Sequence, residues 1–518
     1  MMGPQPLFQN RLDIHDRKQF EIKLEYQPSG TDPSSKYLVD AYLFLPASLN
    51  VDEDTYPRAD FYADIHNYVR LKTPILDFEE ILTADHSPLV RLEEKVQLGL
   101  FKPETELVYE AKMLSCVFRG CLRRFARDLS EWCDLVAGAG ESPPQPLLDV
   151  RARESVVQVR TMFERFRALT RALSTRYSVE EKTRASLRLV DEYLSLSVEQ
   201  FFRKAVADMD RVPRTVPYTE VRKELMAQVI SDEAYRKENK LSSVLSPTGD
   251  NEEYMHRIGF LKKFCMNILF LKIRREQRRK GYEEAAFAIA AGVAMAFATA
   301  VAFAAQLRVP QASLNFFLVL VVGYMMKDRI KEGLRRIFAN YGSKHLFDRT
   351  TLISDPVTKD EIGVCKEKVD YNRAVVVPKD IEALRRTDDF VTVSQGELAE
   401  TVIRYQKQIV LESELLPTMG GGMAGGVTDI IRLNIDRLLR DMDDPEYAIE
   451  YVDMEDFSVG RVKAAKSYQV DLAFRFAVDD GDIKKTSVQL VRLVLDRNGI
   501  KRMLRFDAPV PPAVRPVG

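Results

Sequence analysis

The spacing of apolar positions changes along the chain, and each change marks a region. Phe20, Ile22, Leu24 and Tyr26 alternate with Glu21, Lys23 and Glu25; a period of two predicts a strand with one buried face. The more apolar run Tyr37–Leu45 stops at Pro46, and the turn-forming stretch QPSGTDPSS lies between the two runs, so a hairpin is expected. Residues 58–72 offer a further strand. The period then lengthens. Leu107, Ala111, Leu114, Phe118, Leu122, Phe125, Leu129, Trp132 and Val136 step by threes and fours and define one face of a long helix. Val156, Val159, Phe163, Phe166, Thr170 and Leu173 define a second. Leu187, Val190, Leu194, Val198 and Phe201 define a third, after the capping-box signal Ser178-Val-Glu-Glu181. Long amphipathic helices with short breaks predict an antiparallel bundle. A further helix is expected over 218–238. Another should start near Asn251 and run toward the apolar segment that follows; a helix continuous with that segment would transmit motion between the two, though the sequence does not show one.

That segment dominates the chain. Ala285 to Leu307 contains no charge, and its polar residues are Thr299 and Gln306. About 20 apolar residues cross a bilayer core, so the length suffices. A second run, Leu314 to Met326, is short alone and reaches spanning length if its helix begins near Pro310, which suits a first helical turn. Lys272, Arg274, Arg275, Arg278, Arg279 and Lys280 precede the pair; Lys327, Arg329, Lys331, Arg335 and Arg336 follow it; the turn offers only Arg308. This asymmetry predicts a transmembrane hairpin with both flanks in the cytoplasm. Ala288, Gly292, Ala296, Ala300 and Ala304 recur at intervals of four, a small-residue stripe of the kind that lets helix backbones approach. The stripe can pack on the second span or on another copy; either way Gly292 is expected at a tight contact and Ala294 off it. Neither span carries an ionisable residue, so an ion path finds no support.

Beyond the hairpin, residues 327–341 continue the second helix amphipathically. TLISDPVTKDEIGVCKEKV predicts a hairpin near Asp355-Pro356, PKDIEALRR a short helix and ETVIRYQKQIVL a strand. Val427, Ile431, Ile435, Leu438 and Met442 suggest an amphipathic helix. Tyr468 to Val478 alternates strictly, Val488–Leu495 forms the next strand, and Asn498-Gly499 is the signature of a tight hairpin.

The expected fold class is a membrane protein of α+β type. It comprises an N-terminal β-rich region (1–100), a cytoplasmic helical bundle (101–250), membrane-proximal helices with the two-helix transmembrane hairpin (251–341, spans about 285–307 and 310–326), and a C-terminal cytoplasmic α+β domain with an antiparallel sheet (342–518). Composition agrees: 46% hydrophobic with 30% charged residues is too polar for a polytopic transporter. The 76 basic residues balance 77 acidic ones, so no nucleic-acid partner is expected. The first twenty residues lack an apolar core, which predicts no signal peptide. Five cysteines without a C-x-x-C pair read as free thiols in a reducing compartment.

Candidate chemistry is sparse. Pro417–Thr428 is glycine-rich and sits between an expected strand and helix, where backbone amides can cradle phosphate. Gly421, Gly426 and Thr428 keep phosphate-loop spacing, but Val427 stands where that motif needs lysine. In Asp60-x-x-x-Asp64-x-His66, Asp64 and His66 would share one face of a strand and allow a metal pair without a full ligand set, so no metal and no cofactor is expected. Arginines crowd the polar faces of two bundle helices (Arg119, Arg123, Arg124, Arg127; Arg160, Arg165, Arg167, Arg171) and suit either anionic lipid, phosphate or an acidic partner, or a solvated face interleaved with Glu and Asp. The sequence therefore points to a membrane-anchored cytoplasmic interaction protein, structural or signalling, with both termini cytoplasmic. Its partners would be the bilayer, taken as a bacterial inner membrane, and a protein partner or homo-oligomer. The alternative is a membrane-bound enzyme or nucleotide-responsive protein with its site near Gly420–Thr428.

Overall fold

A computed structural model describes residues 8–26, 34–100, 102–138, 146–176, 179–211, 219–276, 278–308, 314–355, 359–371, 375–385, 400–412, 426–455, 457–480 and 483–506. The protein is mixed α+β with antiparallel sheets. In chain order the elements are β1 (Phe8–Asp16), β2 (Gln19–Tyr26), β3 (Ser34–Pro46), α1 (Arg58–Asp64), β4 (Ile65–Leu71), α2 (Phe78–Thr83), α3 (Pro88–Gln97), α4 (Glu104–Gly138), α5 (Pro146–Ser174), α6 (Glu181–Met209), α7 (Thr219–Glu238) and α8 (Glu252–Met266). They continue with β5 (Lys272–Glu276), α9 (Arg278–Arg308), α10 (Leu314–His345), β6 (Arg349–Ser354), β7 (Glu361–Tyr371), α11 (Lys379–Arg385), β8 (Glu400–Glu412), β9 (Val427–Asn434), β10 (Glu446–Val452), β11 (Val459–Ala465), β12 (Tyr468–Asp480), β13 (Ile483–Asp496) and β14 (Gly499–Phe506).

The chain forms two compact units. One comprises Met1–Val69, Lys272–Leu416 and Thr428–Gly518. Its main sheet has the order β14-β13-β12-β3-β8-β7-β6-β5, and a smaller one the order β1-β2-β9-β4. The regions 1–100 and 342–518 are thus not separate domains: β3 lies between β12 and β8, pairing Phe44 with Asp471 and with Val402. A period-two pattern fixes which side of a strand is buried but not which strand lies beside it. From Tyr42 to Leu45 every residue of β3 is buried, as a central strand requires. The inner faces of the two sheets meet through Phe20 of β2 and Phe474 of β12, stacked at 6.0 Å. On the outer face of the main sheet, α11 seats Ile381 against Tyr42, Phe44, Ala473 and Leu490.

Two local expectations are corrected. Val427–Asn434 is strand, not helix, followed by a single 3-10 turn at Asp436–Leu439. Val427, Ile431 and Ile435 satisfy a helical spacing of four and a strand spacing of two equally well, and pairing into the small sheet decides it. The helix from Asn251 does not run into the apolar segment: α8 ends at Met266, and β5 intervenes as the edge of the main sheet, with Ile273 opposite Ile353. Residues 58–72 divide into α1 and β4.

The second unit, Arg70–Leu271 with Pro417–Val427, contains the bundle. It begins earlier than the amphipathic pattern alone indicated. In α2, Asp77 caps the helix through a complete capping box with Glu80, and α3 starts at Ser87-Pro88. Phe118 packs edge-on against both Phe78 and Phe163, joining α4 to α2 and α5.

Candidate functional site

The alanine-rich α9, a sequence of strong helix formers, packs antiparallel on α10. Arg335 stacks on the ring of Phe287 at 5.0 Å, and Gly323 is buried against Val301, where an added Cβ would stand 3.1 Å from Cγ1. The face of α9 turned inward carries Ala286, Ala290, Ala294 and Ala305, all buried. The stripe Ala288, Gly292, Ala296, Ala300 and Ala304 points outward and is exposed, and a Cβ on Gly292 meets nothing within 4 Å. Within the chain, small residues do line the helix contact, but two positions out of phase with the stripe.

The rest of the hairpin surface is apolar and uncovered. Ile289, Val293, Met295, Phe303 and Leu307 of α9 are exposed, as are Leu314, Phe317, Leu318, Val322, Tyr324 and Met325 of α10. Among the described residues one helix, Glu284–Arg308, is long and apolar enough to cross a membrane, and only 17% of its apolar window is buried. The apolar run of α10 ends at Met326, so the register set by Phe287 and Arg335 brings Lys327–Arg336 alongside the first half of α9. Both helices are apolar together over about 18 Å, at 1.5 Å per residue.

A second feature lies between the sheets of the β unit. Lys407 on β8 and Asp429 on β9 have no exposed side-chain surface; the ammonium donates to Oδ1 of the carboxylate at 2.8 Å and lies 2.6 Å from Oδ2 in an ion pair. Beside them Glu367 of β7 accepts hydrogen bonds from the Tyr405 hydroxyl and the Asn67 amide, each at 2.5 Å. A cavity of about 150 Å³ opens here, walled by Ile65–Val69 together with Arg349, Thr351, Cys365, Glu367 and Lys407. Burial disfavours the Lys407 charge, but Asp429, Cys365 and Glu367 outweigh it and hold the ammonium above its usual range. Burial raises the Cys365 thiol, and burial with Glu367 raises the Tyr405 hydroxyl. At neutral pH the Lys407 ammonium, the Cys365 thiol and the Tyr405 hydroxyl therefore keep their protons. The cavity can hold a few ordered waters or a small polar molecule, at about 30 Å³ per water.

In the helical unit most bundle arginines are spent internally. Arg165 grips Glu93 with two nitrogens, Arg160 donates to Gln228, and Arg127 pairs with Asp128. Arg119 donates to Ser197 and Gln200, and Arg124 to the Leu76 carbonyl. Arg236 of α7, fully buried, is held by Glu199, the Ser195 hydroxyl and the Ser243 carbonyl. Arg167 stacks on Tyr235 and reaches Asp191 at 3.0 Å and Asp232 at 3.7 Å. Burial pushes Asp232 up to about 6, against the opposing pull of Gln228 and Arg167. Because its folded pKa lies above the unfolded value of about 3.9, Asp232 contributes stability that is complete below pH 4 and lost as pH rises through about 6. In Asp232→Asn this contribution is absent, so the difference in melting temperature between the two chains should change sharply between pH 4 and 7. Parallel stability curves across that range would contradict this assignment.

The remaining sequence candidates do not assemble. Gly421 lies outside the described residues. Gly426 and Thr428 are buried at the start of β9, where the Gly426 carbonyl accepts from Lys72 N–H at 2.6 Å. The element that follows is a strand, so the helix terminus needed to cradle phosphate is missing among the described residues. Asp60 and Asp64 both contact Arg437, at 2.7 and 3.6 Å, while His66 is exposed. Among the described residues no group of three His, Cys, Asp or Glu side chains could hold a metal ion. The five cysteines are free and buried. The buried charges Lys407, Asp429 and Glu367 escaped notice in the sequence, although each sits at the inward phase of its strand. Comparison with models of known protein families, with curated proteins and with solved structures finds no match to this chain.

Proposed function

We propose that the protein is a membrane-anchored interaction protein whose α9–α10 hairpin inserts in a bilayer and holds both folded units on the cytoplasmic side. One observation carries the reading: the apolar surface of α9 faces outward along its length instead of packing into a core. A soluble protein rarely leaves so large an apolar surface uncovered. The buried face of α9 is occupied by α10, so the exposed face is the part offered to lipid. The basic residues Lys327 and Arg329 follow directly on the apolar run of α10, where anionic headgroups would meet them. The two units, whose buried charges such as Lys407 with Asp429 and Arg236 with Glu199 are ion-paired, suit binding and scaffolding better than catalysis.

Cysteine accessibility tests both the insertion and its direction. In sealed vesicles a cysteine at Gln311 should react with an impermeant reagent from the outside, and one at Ser343 only after permeabilisation. The chain should also stay with the membrane through alkaline carbonate washing. Release by carbonate would remove the anchor. Protection of both cysteines would show a hairpin that enters and leaves by one face, and the reversed pattern would overturn the orientation.

A further inference from the structure

β10 and β11 pair with each other and, among the described residues, with no other strand. A lone two-stranded hairpin is marginal in water; three or more strands with an apolar face are the usual minimum. The two faces of this arm differ. Tyr447, Ile449 and Tyr451 share one face, and the register sets Ala464, Val462 and Gly460 opposite them. The Tyr451 ring lies directly on Gly460, where a Cβ would come within 2.7 Å of it. This apolar face is wet: Tyr447 is 67% exposed and Val462 51%. The other face neutralises its own charges, Arg461 with Glu450 at 2.8 Å and Lys463 with Glu446 at 2.7 Å. The base is fastened by Lys466 N–H to the Pro445 carbonyl and by the Tyr468 hydroxyl to Asp443. The arm is therefore ordered and amphipathic, with two open edges.

We propose that the β10 edge pairs antiparallel with β10 of a second copy of this chain, about a twofold axis at Ile449, to make one four-stranded sheet. The register follows from the sequence. Ile449 meets Ile449, Tyr447 meets Tyr451, Ala448 meets Glu450, and Glu446 meets Val452. No glutamate faces a glutamate, and two tyrosine pairs flank the central isoleucines on the apolar face, an arrangement that stabilises antiparallel pairs. The β11 edge lacks this self-complementarity, because a twofold axis at Val462 would set Arg461 against Lys463 twice. Charge thus selects β10. A twofold contact of this kind closes on itself and leaves no growing edge at β10. The pairing deepens the interaction role by naming one partner, and every residue it uses lies on the arm and none on the hairpin that would enter the membrane.

The full chain in detergent micelles provides the test, separately from any membrane assay. All five native cysteines are buried, so an introduced thiol reports alone. Under mild oxidation Ile449→Cys should give a covalent dimer at least about tenfold faster than Val462→Cys, whose partner would lie three strand spacings away, about 14 Å. Ile449→Lys places two ammonium groups at the axis and should weaken the non-covalent dimer at least about tenfold in sedimentation, while the circular dichroism of the chain is retained. A wild-type chain that stays monomeric, equal cross-linking rates at the two positions, or an Ile449→Lys chain that still sediments as dimer would each overturn the pairing.

Discussion

Lys407→Met should destabilise the β unit by about 3–5 kcal/mol, the range found when one partner of a buried ion pair is removed. Methionine is unbranched like lysine and one heavy atom shorter, so packing is nearly kept and most of the loss is electrostatic. Asp429 would remain with no exposed surface and no cation, while Glu367 stands near it and raises its pKa further. A carboxylate so placed takes up a proton rather than stay charged. The single variant should therefore be strongly pH-dependent: stability is present below the unfolded carboxylate value of about 3.9 and lost as pH rises through the raised value of Asp429. Adding Asp429→Leu removes the stranded charge, and the double variant should recover most of the loss, because apolar replacements of whole buried pairs are often neutral. Chemical unfolding of the three chains at pH 5 and 8 checks this. A single variant no less stable than wild type at pH 8 would mean that the pair is hydrated through the neighbouring cavity.

How far this site was legible depends on the strand. In β8 the buried phase reads Ile403, Tyr405, Lys407, Ile409, Leu411; in β7 it reads Cys365, Glu367, Val369, Tyr371; in β9 it reads Val427, Asp429, Ile431, Leu433. A charge at the inward phase of an alternating strand announces a buried partner, and three strands carry that signal. The partner itself is not legible, because Lys407 and Asp429 meet only once β8 and β9 lie in facing sheets. The β9 signal was also masked by the helical reading of Val427–Met442. The same limit explains β3. Its run of buried residues marks a central strand, but the alternation cannot say that β8 and β12, some 360 to 430 residues on, supply its neighbours. Helices fared better, since their contacts are mostly local: α4, α5 and α6 follow the apolar spacing, and the short helices α1, α2 and α3 lie outside it. The arginines of α5 could be read as a surface until the structure supplied Glu93, Asp191 and Asp232 as partners of Arg165 and Arg167.

Ala294→Leu should weaken the α9–α10 hairpin by about 1–3 kcal/mol, the usual cost of adding bulk to a packed contact, and Gly292→Leu should leave it nearly unchanged. This reverses the order that the four-residue stripe implied. Ala290 and Ala294 are essentially fully buried, on the side where Val301 meets Gly323, so a longer side chain there must push the helices apart. The backbone of Gly292 is open, and a leucine there would extend outward beside Ile289 and Val293, which are already exposed. Both substitutions keep the segment apolar and helix-forming, so insertion should not distinguish them. Helix contact should. Cysteines at Val301 and Gly323 would report the separation directly: their cross-linking should fall sharply with Ala294→Leu and persist with Gly292→Leu, and detergent-dependent unfolding should follow the same order. Equal losses would place both residues in contacts and refute the register. A loss confined to Gly292→Leu would restore the stripe as the surface on which the second helix packs.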